Sequence, residues 1–498
     1  MITRLNPSLP YGFAKRHGVL LLEAGDVALL GLRESADPLA LVEARRALGR
    51  PVRVEQLDKA TFDRRLSQIY ADDSLRADSD EDLDLPSGLD SLIDAIPAAA
   101  DLLDPSDDAP VIRLINALIA EAVRGGVSDI HIEPFEHALT VRMRTDGVLR
   151  ETHSLNPRIA SLVVSRIKVM ARMDIAEKRL PQDGRIPLAL GGKSLDVRVS
   201  TLPSRGGERV VLRVLDKDQA DLDLDALGMS SQALATFKSA LAEPNGIVLV
   251  TGPTGSGKTT SLYAGLRLLN DATRNILTVE DPIEYAVDGV GQTQVNTKVG
   301  MTFAAGLRAI LRQDPDVVMV GEIRDGETAA IAVQAALTGH LVLSTVHTND
   351  AVGAITRLRD MGVEPFLLAS TVRLIVAQRL VRRLCPTCKV SEVADEATAR
   401  LSGVSSGQRV WRARGCPHCG QTGYVGRVGL YEMVRVDDDV RRLIAAEGEE
   451  EAIAAIAFRQ METLSQAARR LVLSGVTSAE EAVRVARQGA PSDIEAAA

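Results

Sequence analysis

Gly252-Pro253-Thr254-Gly255-Ser256-Gly257-Lys258-Thr259-Thr260 is the stretch that decides the fold of this chain. It follows the apolar run Ile247–Val250 and precedes a helix-compatible stretch, Ser261–Leu269. A glycine loop between a strand and a helix is the context of a phosphate-binding loop, in which backbone N–H groups and the helix N-terminus face an anion. The pattern predicts that Lys258 reaches the β- and γ-phosphates of a nucleotide and that the Thr259 hydroxyl binds Mg²⁺.

Polar residues follow the next three apolar strands that the sequence predicts. The strand Asn275–Val279 leads to Glu280, Asp316–Val320 leads to Glu322, and Leu341–Ser344 leads to His347. In a parallel sheet such ends lie together beside the phosphate loop. We expect Glu322 to activate water, Glu280 to position Mg²⁺ or water, and His347 to sense the γ-phosphate, although sequence alone does not decide which carboxylate is the base. The simpler alternative is a structural histidine and two capping or surface acids.

Two arginines in predicted strands upstream of the loop are candidates for stabilising charge on the transferred phosphoryl group. Arg198 and Arg213 lie in an arginine-rich set of strands that precedes the phosphate-loop domain. Hydrolysis of a triphosphate builds negative charge that an arginine commonly stabilises. A solvent-facing strand arginine is the ordinary alternative for either residue.

The composition is that of a globular protein and argues against several classes of function. Apolar residues make up 45 % and charged residues 25 % of the 498 residues, while the net charge of −9 and the 3 % of aromatic residues argue against general nucleic-acid binding. We expect no export signal and no membrane span, because the apolar stretch Val19–Leu30 is interrupted by two acids and no run of about 18 apolar residues occurs.

The four cysteines predict a structural zinc site. Cys385 and Cys388 form one C-x-x-C pair, and Cys416 and Cys419 form another after 27 intervening residues. Two such pairs supply four thiolates to a tetrahedral Zn²⁺ and leave no open position for catalysis. His418 is expected to be a bystander, and four unliganded thiols are the alternative.

Changes in composition and periodicity divide the chain into six predicted segments. The class is α/β, and the stretch 71–110 is dominated by Asp and Glu, as in a solvated linker. The segments are a docking domain at 1–70, an acidic flexible linker at 71–110, a mixed α/β domain at 111–220, the ATPase domain at 221–384, the tetracysteine zinc module at 385–430 and a helical region at 431–498.

Together these motifs resemble the secretion ATPase superfamily, and within it the type II secretion assembly ATPases. Gly252–Thr260 is similar to the family's Walker A motif, Thr278–Tyr285 to its Asp box, Leu311–Asp325 to its Walker B region and Thr338–Asp350 to its His box. Ser128–Pro134 is similar to the opening motif of the family's second N-terminal domain, and the tetracysteine insert is typical of its assembly ATPases.

The resemblance implies a RecA-like P-loop ATPase domain preceded by a PAS-like domain and a small N-terminal α/β domain. It implies a cytoplasmic homohexamer that uses ATP, Mg²⁺ and Zn²⁺, and in which Arg198 and Arg213 reach the phosphates. It also implies a peripheral place at the bacterial inner membrane, held by the platform protein L and close to platform protein F. ATP hydrolysis would then drive pseudopilus assembly for protein export.

Three other functions remain as alternatives at this point. A type IV pilus assembly ATPase shares every core motif and the cysteines, and only the N-terminal domain distinguishes it. A nucleic-acid translocase or zinc-ribbon binding protein is a different class, as is a nucleotide-binding scaffold without hydrolysis, against which the intact Lys258 and Glu322 argue.

Overall fold

The computed structural model divides the chain into two compact units, Met1–Ala220 and Asp221–Ala498. The predicted linker at 71–110 lies almost wholly outside the described part; only its last three residues, which begin a helix at Asp108, belong to it. Within the described part no helix is long and apolar enough to cross a membrane. The structure describes residues 9, 13–14, 17–25, 27–33, 36, 38–58, 61–62, 65, 108–190, 193–216, 223–271 and 273–486.

The first unit begins with a small three-stranded sheet. Strands β1 (Val19–Ala24) and β2 (Ala28–Arg33) form an antiparallel hairpin, and helix α1 (Pro38–Leu48) leads to β3 (Val52–Leu57), which is parallel to β2. Apolar residues recur on one face of α1 and are buried against the sheet. The three strands and α1 together form a small α/β segment at the N-terminal end of the unit.

Residues 108–216 of the first unit form two helices and a six-stranded antiparallel sheet with strand order β6-β5-β4-β9-β8-β7, apart from two residues that the structure does not describe. Alternation along the strands sends their apolar residues into one core with two helices and leaves their polar residues on the opposite face. The elements are α2 (Asp108–Arg124), β4 (Val127–Pro134), β5 (Leu139–Thr145), β6 (Val148–Leu155), α3 (Ala160–Met170), β7 (Gln182–Leu190), β8 (Lys193–Ser204) and β9 (Gly207–Asp216).

The second unit contains a seven-stranded sheet in the order β12-β11-β13-β14-β10-β15-β18, in which β18 alone is antiparallel to its neighbour. Its central strands are rich in β-branched residues and are buried, as in parallel sheets that helices cover on both faces. The elements up to the end of β15 are α4 (Ser231–Leu241), β10 (Gly246–Thr251), α5 (Lys258–Leu269), β11 (Ile276–Glu280), β12 (Gly291–Gln294), α6 (Phe303–Ile310), β13 (Val317–Val320), α7 (Gly326–Leu337), β14 (Leu341–Val346), α8 (Gly353–Asp360), α9 (Pro365–Thr371) and β15 (Val372–Leu384).

The cysteine-containing segment is an insertion between two paired strands of this sheet. Strand β15 ends at Leu384, and its antiparallel partner β18 (Tyr424–Arg435) crosses residue 430, where the sequence places a domain boundary. Between them lie β16 (Val390–Val393), α10 (Glu396–Ser402) and β17 (Arg409–Arg412). The predicted C-terminal helices follow as α11 (Asp438–Ala445), α12 (Glu450–Ala457), α13 (Leu464–Leu473) and α14 (Ala479–Ala486).

Candidate nucleotide site and metal centre

The loop between β10 and α5 has the backbone of an anion cradle. Gly252, Gly255 and Gly257 all have positive φ, at 140°, 79° and 86°, a region that side chains with a Cβ rarely adopt. A Cβ at Gly252 would also collide with the carbonyl oxygen of Gln378. The N-cap residue of α5 is Gly257, which has no side chain to accept from the first N–H groups of the helix, so these groups can face an anion.

The hydroxyl of Ser256 adds a second sign that the loop fits a phosphate. The side chain is 3 % exposed, and its Oγ has no hydrogen-bond partner among the described residues. A buried hydroxyl without a partner is costly unless a ligand supplies one. The loop residues present therefore fit the phosphates of a nucleotide.

Lys258, the first residue of α5, lies folded against the loop. Its Nζ donates to the carbonyl oxygens of Gly252 at 2.7 Å and Pro253 at 3.1 Å. Burial lowers the pKa of Lys258, while the nearby charge of Glu322 opposes that shift. Thr259 and Thr260 follow in the first turn of the helix, where Thr259 is predicted to bind Mg²⁺.

Two of the predicted strand-end residues meet beside this lysine. Glu322 follows β13, and its Oε2 lies 3.0 Å from Nε2 of His347, which follows β14. The other carboxylate oxygen is paired with the guanidinium of Arg324, and this hydrogen bond raises the pKa of Arg324. The structure thus brings the side chains of Glu322 and His347 into contact, and the charge of Glu322 acts on Lys258. Sequence reasoning missed Arg324, whose signal is its position two residues after the strand-end glutamate.

Glu280 closes the neighbouring strand, but its side chain has different surroundings. The backbones of the two strand ends are adjacent, since the Gly321 N–H donates to the Val279 carbonyl at 2.8 Å. The Glu280 side chain is 3 % exposed and accepts hydrogen bonds from Thr278 Oγ1 at 2.6 Å, Gln292 Nε2 at 3.0 Å and the Tyr263 hydroxyl. Both carboxylate oxygens are therefore engaged by protein groups, and the assignment of Glu280 to Mg²⁺ or water stays a prediction.

The two predicted arginines lie side by side on the polar face of the first unit's larger sheet. Arg198 on β8 and Arg213 on β9 are directly opposite each other in the register. Arg213 Nε donates to Asp129 Oδ1 at 2.9 Å, and its side chain is 58 % exposed. The same row continues to Arg185 on β7 and Arg144 on β5. The row concentrates positive charge on this face, and the action of Arg198 and Arg213 on a phosphate stays a prediction.

The four cysteines form a cluster with the dimensions of a metal site. Their sulfur atoms all lie within 4.8 Å of one another, with Sγ–Sγ separations of 3.9 Å for Cys385–Cys416, 3.8 Å for Cys388–Cys419 and 3.7 Å for Cys416–Cys419. A tetrahedron with Zn–S bonds of about 2.3 Å has edges of roughly 3.8 Å. The donor set and its spacing therefore fit a four-thiolate metal centre.

Local backbone geometry presents these thiols. Cys419 Sγ accepts from the N–H groups of Cys416 at 3.2 Å and Gly423 at 3.1 Å, as thiolates at metal sites commonly do. Cys385 directly follows β15, and Tyr424, which starts β18, pairs with Leu384. The strand pair therefore holds both cysteine pairs together. His418 is exposed and does not belong to the cluster.

Two protein-family models match this chain, one at its N-terminal segment and one over most of the remainder. Residues 104–484 match the family model described as type II/IV secretion system protein, and residues 8–70 match the model of an N-terminal domain of GSPII protein E. Type II secretion system protein E of Pseudomonas aeruginosa is 56 % identical over 483 residues, covering 96 % of each chain. That of Klebsiella pneumoniae is 54 % identical over 97 % of each chain, and type II secretion system ATPase E of Vibrio cholerae is 52 % identical over 96 % of this chain and 97 % of its own.

Comparison with solved structures confirms the predicted RecA-like α/β fold. The ATPase DotB of Legionella pneumophila has a TM-score of 0.56 at 23 % identity, covering 74 % of this chain and 94 % of its own. The pilus retraction motor PilT with bound ADP has a TM-score of 0.51 at 26 % identity, covering 76 % of this chain and 96 % of its own.

Proposed function

Because this chain belongs to the type II/IV secretion system ATPase family, in the branch of the type II secretion system protein E, we propose that it is a hexameric motor that hydrolyses ATP to drive pseudopilus assembly and protein export. The observation that carries the proposal is the identity of more than 50 % over nearly the whole length of its relatives, with every nucleotide motif present.

The match at residues 8–70 favours type II secretion over the type IV pilus alternative. The N-terminal segment is the part in which the two motors differ, and it matches the N-terminal domain model of GSPII protein E. The relatives' names give no support to a nucleic-acid translocase, which the net charge of −9 already disfavoured.

The proposed mechanism assigns each site residue a step. The loop Gly252–Thr260 holds the phosphates, Lys258 moves from its loop carbonyls to the β- and γ-phosphates, and Thr259 holds Mg²⁺, which supplies charge stabilisation when bound. Glu322 accepts the proton of the attacking water, with His347 positioning its carboxylate at 3.0 Å.

Two arginines and a second carboxylate complete the proposed chemistry. Arg198 and Arg213 supply positive charge to the phosphoryl group, and Glu280 supports Mg²⁺ or water. The four cysteines hold Zn²⁺ in a structural role that keeps the insertion folded.

The proposed partners follow from family membership. We place the motor as a homohexamer at the cytoplasmic face of the inner membrane, bound through residues 1–70 to the cytoplasmic domain of platform protein L and close to platform protein F. Co-purification of the full-length chain with that cytoplasmic domain supports the type II assignment, and binding only to pilus components would replace it by the type IV pilus motor.

A secretion assay tests the function directly. In bacteria that lack their own type II secretion ATPase, this chain is expected to restore export of a type II substrate, and Lys258→Ala is expected not to. Lys238→Ala is the matched control, because Lys238 pairs with Asp225 on the surface of the same unit. Export by the Lys258→Ala chain would contradict the proposal.

A further inference from the structure

A buried polar network connects the phosphate-loop helix to the end of β11. Tyr263 lies on α5, which begins at Lys258, and it is fully buried within the apolar cluster on that side of the sheet. Its hydroxyl donates to Glu280 Oε2 and accepts from the backbone N–H of Glu284 at 3.4 Å and from Gln292 Nε2 at 3.3 Å. One phenol therefore contacts a carboxylate, the loop that follows β11 and the edge strand β12.

Gln292 fixes the same loop from the other side. Its Nε2 donates to Glu280 Oε1 at 3.0 Å and to the Tyr285 carbonyl at 3.1 Å, and its Oε1 accepts from the Val287 N–H at 2.8 Å. The ring of Tyr285 packs edge-on against that of Tyr263 with centroids 4.6 Å apart. The segment between β11 and β12 is thus held by side-chain hydrogen bonds at Glu284, Tyr285 and Val287.

The chemistry of this network exceeds what packing requires. A phenylalanine or leucine would fill the same space between α5 and the sheet without burying a hydroxyl. The hydroxyl instead makes a charge-assisted hydrogen bond to a buried carboxylate. Removing this donor would leave a buried charged oxygen with one hydrogen bond fewer, which is costly. Burial and the Glu280 charge both raise the pKa of Tyr263, so the phenol stays protonated and remains a donor.

From this geometry we propose that Tyr263 is a positioning residue for ATP hydrolysis, with Gln292 as its partner. It fixes the Glu280 carboxylate and the backbone after β11 relative to the phosphate-loop helix. The link is short, since Lys258 and Tyr263 are separated by about 7.5 Å along the helix at 1.5 Å per residue. This inference rests on the proposed ATPase site and adds a residue that none of the nucleotide motifs includes.

A double-mutant cycle on full-length, assembled protein tests the inference. Tyr263→Phe keeps the ring and removes only the hydroxyl, and we expect kcat to fall about tenfold while KM for ATP changes less than twofold, because misplaced catalytic groups cost rate more than binding. Glu280→Gln is expected to lower kcat by itself. The double variant is expected to be no slower than Glu280→Gln alone, because Tyr263 acts through Glu280.

Controls separate positioning from stability. Tyr424→Phe removes another tyrosine hydroxyl, which lies 2.7 Å from Ser478 Oγ beside the cysteine insertion, and its kcat is expected to equal that of the wild type. Gln292→Leu breaks the network from the half-buried edge strand, so it provides the same test if Tyr263→Phe does not fold.

Three results would overturn the inference. The first is a Tyr263→Phe variant whose melting temperature falls but whose kcat stays within twofold of the wild type. The second is a double variant in which the kcat losses of Tyr263→Phe and Glu280→Gln multiply. The third is a Gln292→Leu variant with unchanged kcat. An inactive wild-type chain, or hydrolysis that does not need Lys258, would instead refute the proposed function and this inference with it.

Discussion

The nucleotide site and the cysteine cluster are assembled in opposite ways. The four thiols come from two tight turns at the ends of one strand pair, and three of their Sγ–Sγ separations, at 3.7–3.9 Å, already match the edges of a metal tetrahedron. The nucleotide site draws Glu322 and His347 from the ends of two strands and Lys258 from the first turn of α5, where the lysine is hydrogen-bonded to its own loop. The thiols are therefore already spaced for a metal ion, whereas we propose that the nucleotide site rearranges around its ligand.

The largest expected effect is that of replacing Lys258, which should abolish function at the nucleotide site and leave the cysteine cluster intact. Lys258→Ala is expected to lower ATP turnover by at least about 100-fold, because the phosphates lose their closest fixed positive charge. Its zinc content is expected to equal that of the wild type. Phosphate release and metal analysis on the same preparation check both, with Lys238→Ala as the control. Unchanged turnover would refute the assigned site.

Replacing one cysteine tests whether the cysteine cluster holds zinc independently of the nucleotide site. Cys419→Ser is expected to release the zinc and to expose residues 385–430 to proteolysis, because binding of a structural metal is part of the folding free energy. ATP binding by the loop is expected to persist. His418→Ala is the matched control and is expected to keep its zinc. An intact protein that contains no zinc would contradict the metal assignment.

Arg213→Ala tests whether the first unit takes part in the chemistry. If Arg213 stabilises the transition state, kcat is expected to fall about tenfold or more while nucleotide affinity changes little. Arg158→Ala is the control, because Arg158 is exposed in the 3-10 turn Pro157–Ile159 that precedes α3 on the same unit. Steady-state kinetics decides, since a loss confined to affinity would make Arg213 a ground-state ligand.

The smallest expected effect concerns the packing behind the cysteine insertion. Burial raises the pKa of Glu481 on α14, but hydrogen bonds from Arg484 and Arg382 outweigh this and lower it to about 2. Because the folded pKa lies below the usual value of 4.5, Glu481 stabilises the fold above pH 4.5, and this contribution is lost as the pH falls toward 2.

Glu481→Gln is therefore expected to lower the melting temperature at pH 7, with a smaller difference from the wild type below pH 4. Its kcat is expected to stay unchanged, since Glu481 lies on α14 and contacts Arg382 and Arg484 rather than the phosphate loop. Glu480→Gln, at the exposed neighbouring position, is the matched control. Equal melting temperatures of the two variants at pH 7 would contradict the assignment.

The sequence predicts those parts of the site that are local. The glycine loop, the apolar strands and the cysteine pairs are each contained within a few residues, so spacing and periodicity define them. The adjacency of the strand ends also follows, because parallel strands place their carboxyl ends on one edge. The meeting of Glu322 with His347 confirms that expectation.

The parts that depend on side-chain direction could not be predicted. Tyr263, Glu280 and Gln292 are far apart in sequence, and each fits an ordinary position in a helix, a strand end or an edge strand. Only tertiary packing shows that the Glu280 carboxylate is enclosed while that of Glu322 meets His347. The pairing of β15 with β18 was hidden for a similar reason, since the whole cysteine insertion separates them in sequence.

The most direct test of the account is phosphate release by Glu322→Gln at saturating Mg-ATP. We expect a rate at least about 100-fold below the wild type with ATP still bound, because the amide cannot accept the proton of the attacking water. Hydrolysis at the wild-type rate would contradict it, and the strand-end carboxylate beside Lys258 would then have no part in the reaction.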